Sequence, residues 1–102
     1  MPRCWVIGDA AVDLMPEGNK YLRFPGGTGA NIAVALSKLG VKSALIAKLG
    51  NDPLAGFLTD TLERENVNTQ YVSFSERYQT SLIIVSFDDS GVRDFIFMVN
   101  PS

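Results

Sequence analysis

The segment Gly26-Gly27-Thr28-Gly29-Ala30-Asn31-Ile32-Ala33 is the stretch of this 102-residue chain best suited to chemistry. Three glycines ahead of a helix let the backbone come close to a ligand, and the first-turn amides can donate hydrogen bonds to it. No Gly-Lys-Ser/Thr follows, so this is not a Walker A phosphate loop, and Ile32 stands where a dinucleotide fingerprint has its third glycine. A glycine-rich helix start with Asn31 as a polar first-turn residue accounts for the same letters without any ligand. Asp9 and Asp13 follow the first apolar run, and strand alternation puts them on one side of an extended segment. Carboxylates at the C-terminal edge of a parallel sheet stand where such folds bind ligands. An ionised Asp accepts several hydrogen bonds, which suits vicinal hydroxyls. Either Asp alone also fits a turn cap.

Composition narrows the chemistry further. The chain is 46% hydrophobic and 20% charged, with 9 basic and 11 acidic residues, which describes an ordinary globular domain. Sequence-independent binding of nucleic acid needs a basic excess, and none is present. The apolar stretches are short and interrupted, so no bilayer span or signal segment is expected. A single cysteine, Cys4, forms no internal disulfide, which suits a reducing, cytoplasmic setting. Without histidine there is no Ser-His-Asp or Cys-His system and no common zinc site.

The elements that must position these residues read as follows. Cys4-Trp5-Val6-Ile7 is a short apolar run expected to be a buried strand. Pro16 to Asn19 is a turn cluster, and Tyr21 to Phe24 a returning strand. Pro25 to Gly29 is expected to be an irregular loop, followed by a helix from Ala30 to Leu39 packed on more than one side. Gly40 stands at its left-handed C-terminal cap. Ser43 to Leu49 is a strand. Asn51-Asp52-Pro53 starts a second helix, with Asp52 at the N-cap and Pro53 at the first helical position, running to about Asn66. Tyr71 to Phe74, Ser81 to Phe87 and Val92 to Val99 are strands, the last two joined by the Asp88-Asp89-Ser90-Gly91 turn. The order β-β-β-α-β-α-β-β-β implies a parallel α/β layer flanked by antiparallel hairpins. So few parallel strands leave faces and edges uncovered, as expected of a piece of a longer protein or of a chain that pairs.

Gly26-Gly27-x-Gly29-x-Asn31-x-Ala33, then Gly40 and Gly50 at matching intervals, resembles the first signature of the ribokinase-like (PfkB) carbohydrate kinases. Asp9 and Asp13 after Gly8, Gly50-x-Asp52-x-x-x-Gly56, and Gly91-x-Arg93-x-Phe95-x-Phe97 resemble bacterial fructokinases within that family. The resemblance covers nearly the whole chain. It implies a ribokinase-like three-layer α/β sandwich, with residues 1–102 as its N-terminal part and an antiparallel β-lid over about 9–25 and 80–99. It implies phosphoryl transfer from ATP, with Mg2+ and in some members a monovalent cation, to a sugar hydroxyl. Fructose leads, and aminoimidazole riboside or another furanose is the alternative. By position, Asp13 with Asp9 would hold sugar hydroxyls, Gly26 and Gly27 would give backbone contacts, Asn31 a side-chain hydrogen bond, and Phe97 an apolar cover from the lid. Phe95 is expected to pack at the lid interface, and Arg93 to be a solvated strand charge. The family's second signature, of the Asp-Thr-x-Gly-Ala-Gly-Asp type, carries the catalytic aspartate, and no segment of this chain matches it. The resemblance thus implies no catalytic residue and no metal ligand here, and a chain inactive by itself. Lids of this kind also imply a homodimer. A non-catalytic binding or assembly module is the reading from another class.

Overall fold

The structure, a computed structural model, describes residues 2–98. The end of the last expected strand at Val99 and the terminal Asn100-Pro101-Ser102 lie outside the described residues. The observed order is β1 (Cys4–Ile7), β2 (Ala11–Glu17), β3 (Lys20–Gly26), α1 (Thr28–Lys38), β4 (Ser43–Gly50), α2 (Pro53–Arg64), β5 (Val72–Ser75), β6 (Ser81–Phe87) and β7 (Arg93–Met98). Every expected element is present, and the differences lie at the boundaries.

Two sheets result. β4 is the centre of a parallel three-stranded layer between β1 and β5. The lid is a four-stranded sheet in the order β3-β2-β6-β7. Its two hairpins, β2–β3 and β6–β7, are antiparallel as expected. The seam that joins them, β2 with β6, is parallel, with Ala11 opposite Ser81 and Leu14 opposite Ile84. That makes the lid a mixed sheet, because β2 and β6 both leave the parallel layer in the same direction.

The core forms where both helices meet one face of the parallel layer. Val6 and Leu45 pack there with Ala30 and Ala33 of α1 and with Ala55, Leu58 and Leu62 of α2. Asp52 caps α2 by accepting from the Ala55 amide at 2.9 Å, and Pro53 follows it. Gly40 is left-handed, φ 85°, as its place predicts.

Four expectations need correction. β1 is not buried on both sides: Val6 is buried, but Trp5 is 46% and Ile7 81% exposed, because both helices lie on the other face. For the same reason α1 buries one side only, and Ile32 is exposed. Pro16 is not in the turn. It belongs to β2 opposite Tyr21, past Leu14, the last residue paired with β6, so its missing N–H interrupts no ladder there. The loop expected over 25–29 shrinks to Gly27 alone, since β3 runs through Gly26 and α1 begins at Thr28. No helix among the described residues is long and apolar enough to cross a membrane.

Candidate functional site

The site is built by backbone that comes unusually close to backbone. Gly8, at the end of β1, faces Gly29 in the first turn of α1; a Cβ on Gly29 would lie 2.8 Å from Gly8 backbone carbons. Gly27 has φ 89°, and a Cβ there would lie 2.7 Å from the Asp9 carbonyl oxygen. These contacts bring α1 onto the 8–10 segment, where the Ala30 amide donates to the Asp9 carbonyl at 3.0 Å. Gly27 is also the N-cap of α1 and offers no side-chain acceptor. With the Ala30 amide taken by Asp9, the Thr28 and Gly29 amides at the start of α1 are left without a side-chain cap.

Asp9 and Asp13 do not share one extended segment as the alternation argument expected. Residues 8–10 form no strand, and the chain passes there from the parallel layer to the lid. Asp9 is exposed and lines a cavity of about 640 Å³ with Gly27, Thr28 and Phe97. Ser81 and Ile83 of β6, Lys48 of β4 and Tyr78 complete much of its wall. That volume falls within the usual range for small-molecule sites.

Asp13 is not among the residues lining this cavity; it sits on β2 opposite Ile83 of the cavity wall and against Gly26 of β3. A Cβ on Gly26 would overlap the Asp13 carboxylate, so glycine is required there to leave the carboxylate its place. Among the described residues, Asp13 Oδ1 is the one buried side-chain oxygen or nitrogen with no hydrogen-bond partner. Burial raises its pKa above the ordinary value of 3.8. Asn31 lies in the first turn of α1, exposed, with its amide donating to the Gly27 carbonyl at 3.0 Å. The structure therefore brings Asp9, Gly27 and Phe97 to one cavity and Asp13 to Gly26. Asn31 follows on the same helix start and is not among the residues lining that cavity. Phe95 stacks near Phe97 with ring centroids 5.9 Å apart. Arg93 is exposed, as expected of a solvated charge.

Sequence reasoning missed Lys48 and Tyr78, whose ammonium and ring face each other at 4.6 Å. A signal was available for Lys48: it is the one charge in the apolar run of β4, near the C-terminal end of a parallel strand. Ser81 and Ile83 gave no such signal, because only the parallel seam with β2 carries them to the cavity. A second hollow of about 700 Å³ lies at the other end of the parallel strands. Three of its polar side chains are already engaged: Ser43 with Ser37 and Ala33, Asn68 with the Gln70 amide, and Glu63 with Thr69. It holds no orphan comparable to Asp13.

The sequence model of the pfkB family carbohydrate kinase matches residues 3–102. A fructokinase from Vibrio alginolyticus is 44% identical over all of this chain and 34% of its own length. The aminoimidazole riboside kinase of Salmonella typhimurium is 36% identical over 99% of this chain and 32% of its own. The crystal structure of fructokinase from Vibrio cholerae O395 in apo form superposes with a TM-score of 0.93 at 46% identity, covering the whole chain and 35% of that protein. Its form with fructose, ADP and calcium ion bound gives 0.85 at 42% identity, covering the whole chain and 33% of that one. The chain spans about a third of the length of the curated relatives it matches.

Proposed function

The chain belongs to the pfkB family of carbohydrate kinases, and we propose that it is the sugar-binding part of an ATP-dependent fructokinase. The observation that carries this reading is the orphan Asp13 Oδ1. A buried carboxylate oxygen without a donor is costly, and a sugar hydroxyl supplies the missing donor. A neutral polyol suits the rest of the surroundings. Asp9 adds a second acceptor, and the Thr28 and Gly29 amides and the Asn31 side chain add donors. Gly26 and Gly27 bring backbone close enough for contact, and Phe97 supplies an apolar cover from the lid.

In this reading the chain binds and orients the sugar and excludes water, and it holds no catalytic base. ATP supplies the phosphoryl group when bound, and Mg2+ would offset its charge. Among the described residues no group of three or more His, Cys, Asp or Glu side chains is placed to hold a metal ion. The resemblance assigns the catalytic aspartate to a second-signature segment that this chain does not match, and the nucleotide pocket likewise to a downstream part of the family, which would leave the chain inactive alone. The cytoplasm is the expected location. A homodimer through the lid is supported by exposed apolar side chains on both hairpins, including Leu22, Phe24 and Ile96. A riboside substrate is the second reading, favoured by the aminoimidazole riboside kinase relative.

Asp13→Asn in the full-length protein that carries this segment tests the assignment. Losing a charge-assisted hydrogen bond is expected to cost about 1–3 kcal/mol of sugar binding, roughly a 5- to 150-fold rise in the KM for fructose. Gly26→Ala, which displaces the same carboxylate, is expected to act in the same direction. Wild-type fructose kinetics in Asp13→Asn would remove Asp13 from the site.

A further inference from the structure

Three described crossings join the lid to the rest of the fold: residues 8–10 after β1, residue 27 before α1, and residues 76–80 after β5. The first two are bound to each other through backbone at the glycine contacts. The third is held at Glu76, which accepts from the Asn51 side-chain amide at 2.9 Å, at Tyr78, whose ring faces the Lys48 ammonium, and at Thr80, immediately before β6. Asp52 Oδ1 accepts from the Thr80 hydroxyl at 2.8 Å as well as from the Ala55 amide, and its Oδ2 accepts from the Thr80 amide at 2.8 Å. The Thr80 hydroxyl in turn accepts from the Gly50 amide at 3.1 Å. Thr80 is 4% exposed and sits immediately before β6. Gly50 has no space for a side chain, since a Cβ would meet the Tyr78 carbonyl and the Thr80 amide at 2.5 and 2.7 Å.

We propose that Asp52 is a positioning residue for the candidate sugar site: acting through Thr80, it pins the base of β6 and so sets where the lid stands over the cavity. The helix cap alone does not require a carboxylate, because Asn, Ser or Thr caps as well. The second task does. Thr80 presents two donors to the same group, and a carboxylate meets both with acceptors only, whereas an Asn would turn an NH2 toward one of them. What is pinned matters for the site. Ser81 and Ile83 of β6 line the cavity, and Ile83 lies opposite Phe97 of β7. β6 also carries the parallel seam to β2, opposite Asp13 at Ile83. A shift at Thr80 is therefore passed to the apolar cover and to the strand that bears the orphan carboxylate. The consequence for sugar rests on the proposed function; the pin itself does not.

The test separates the two tasks. In Asp52→Asn, amide exchange at neutral pH is expected to quicken at least tenfold for Thr80 and residues 81–87, while amides 55–58 of α2 stay within twofold of wild type. Equal loss in both elements would reduce Asp52 to a cap and overturn the proposal, as would unchanged exchange in β6. Thr80→Ser, which keeps both donors, is expected to retain wild-type protection, and Thr80→Val, which keeps only the amide, to lose it. Like behaviour of these two variants would also overturn the pin, and they answer the question should Asp52→Asn not fold. In the full-length protein, Asp52→Asn is expected to raise the KM for fructose at least fivefold with kcat within twofold. Faster β6 exchange with wild-type fructose kinetics would show a pinned strand that positions nothing, and the proposal would fall. Absence of any fructose phosphorylation by the wild-type protein would instead remove the sugar reading and leave the exchange result to judge the pin.

Discussion

Asp13 and Asp52 carry the same group into opposite surroundings. At Asp13 burial raises the pKa and nothing compensates. At Asp52 burial also pushes upward, but hydrogen bonds from the Thr80 amide and hydroxyl and from the Ala55 and Leu54 amides outweigh it and hold the carboxyl below its ordinary value. The two therefore pull stability in different directions with pH. A depressed folded pKa means that Asp52 contributes fully above 3.8, and the contribution is lost as pH falls through the lowered value. A raised folded pKa means that Asp13 favours the fold below 3.8, and this is lost as pH rises through the raised value. Urea unfolding of the ligand-free chain at several pH values checks both signs. Asp52→Asn is expected to be destabilised at pH 7 and to converge on wild type in acid. Asp13→Asn is expected to match wild type in acid and to exceed it in urea midpoint at pH 7. A loss of stability in Asp13→Asn at pH 7 would show that the orphan oxygen has a partner in solution. At this scale the caps were legible and the clasp was not. Asn51-Asp52-Pro53 announces a helix start from adjacent letters, but Thr80 lies 28 residues away, and only tertiary structure brings it to the same carboxylate.

Elements were easier to locate than to bound. Periodicity and punctuation placed all seven strands and both helices, yet Pro16 and the 25–29 segment were read as turn and loop from residue type alone. Pro16 is accommodated because β2 outruns its pairing with β6, which is a property of the partner strand. The glycines at 26, 27 and 29 serve close approach more than irregularity: β3 and α1 almost touch, and Gly27 alone makes the corner. Helix α1 is thereby pressed against 8–10 with no clearance at Gly29. Gly29→Ala is expected to destabilise by at least about 2 kcal/mol, since backbone must move to admit the methyl group. Gly56→Ala, where a Cβ meets nothing within 4 Å, is the control and is expected to be neutral or mildly stabilising in the same denaturation series. A Gly29→Ala variant as stable as the control would mean that the 8–10 contact is loose.

The whole molecule is elongated, 47 × 33 × 21 Å, because the lid projects from the parallel layer. Its packing is one-sided. Both helices cover one face of the parallel layer and leave Trp5 and Ile7 on the other in contact with water. The sequence already indicated too few parallel strands to close the layer; which face would stay open was not readable, since β1 is apolar throughout. Trp5 is the only tryptophan, and it stands on that open face. Its fluorescence is thus an internal gauge of whether the face is wet. Emission from the chain is expected to be red-shifted and readily quenched by acrylamide, and the share of emission that a Trp5→Phe variant removes is expected to move to the blue in the full-length protein, where the expected third layer dries the indole. Identical spectra in the two would mean that this side of the sheet stays bare in both.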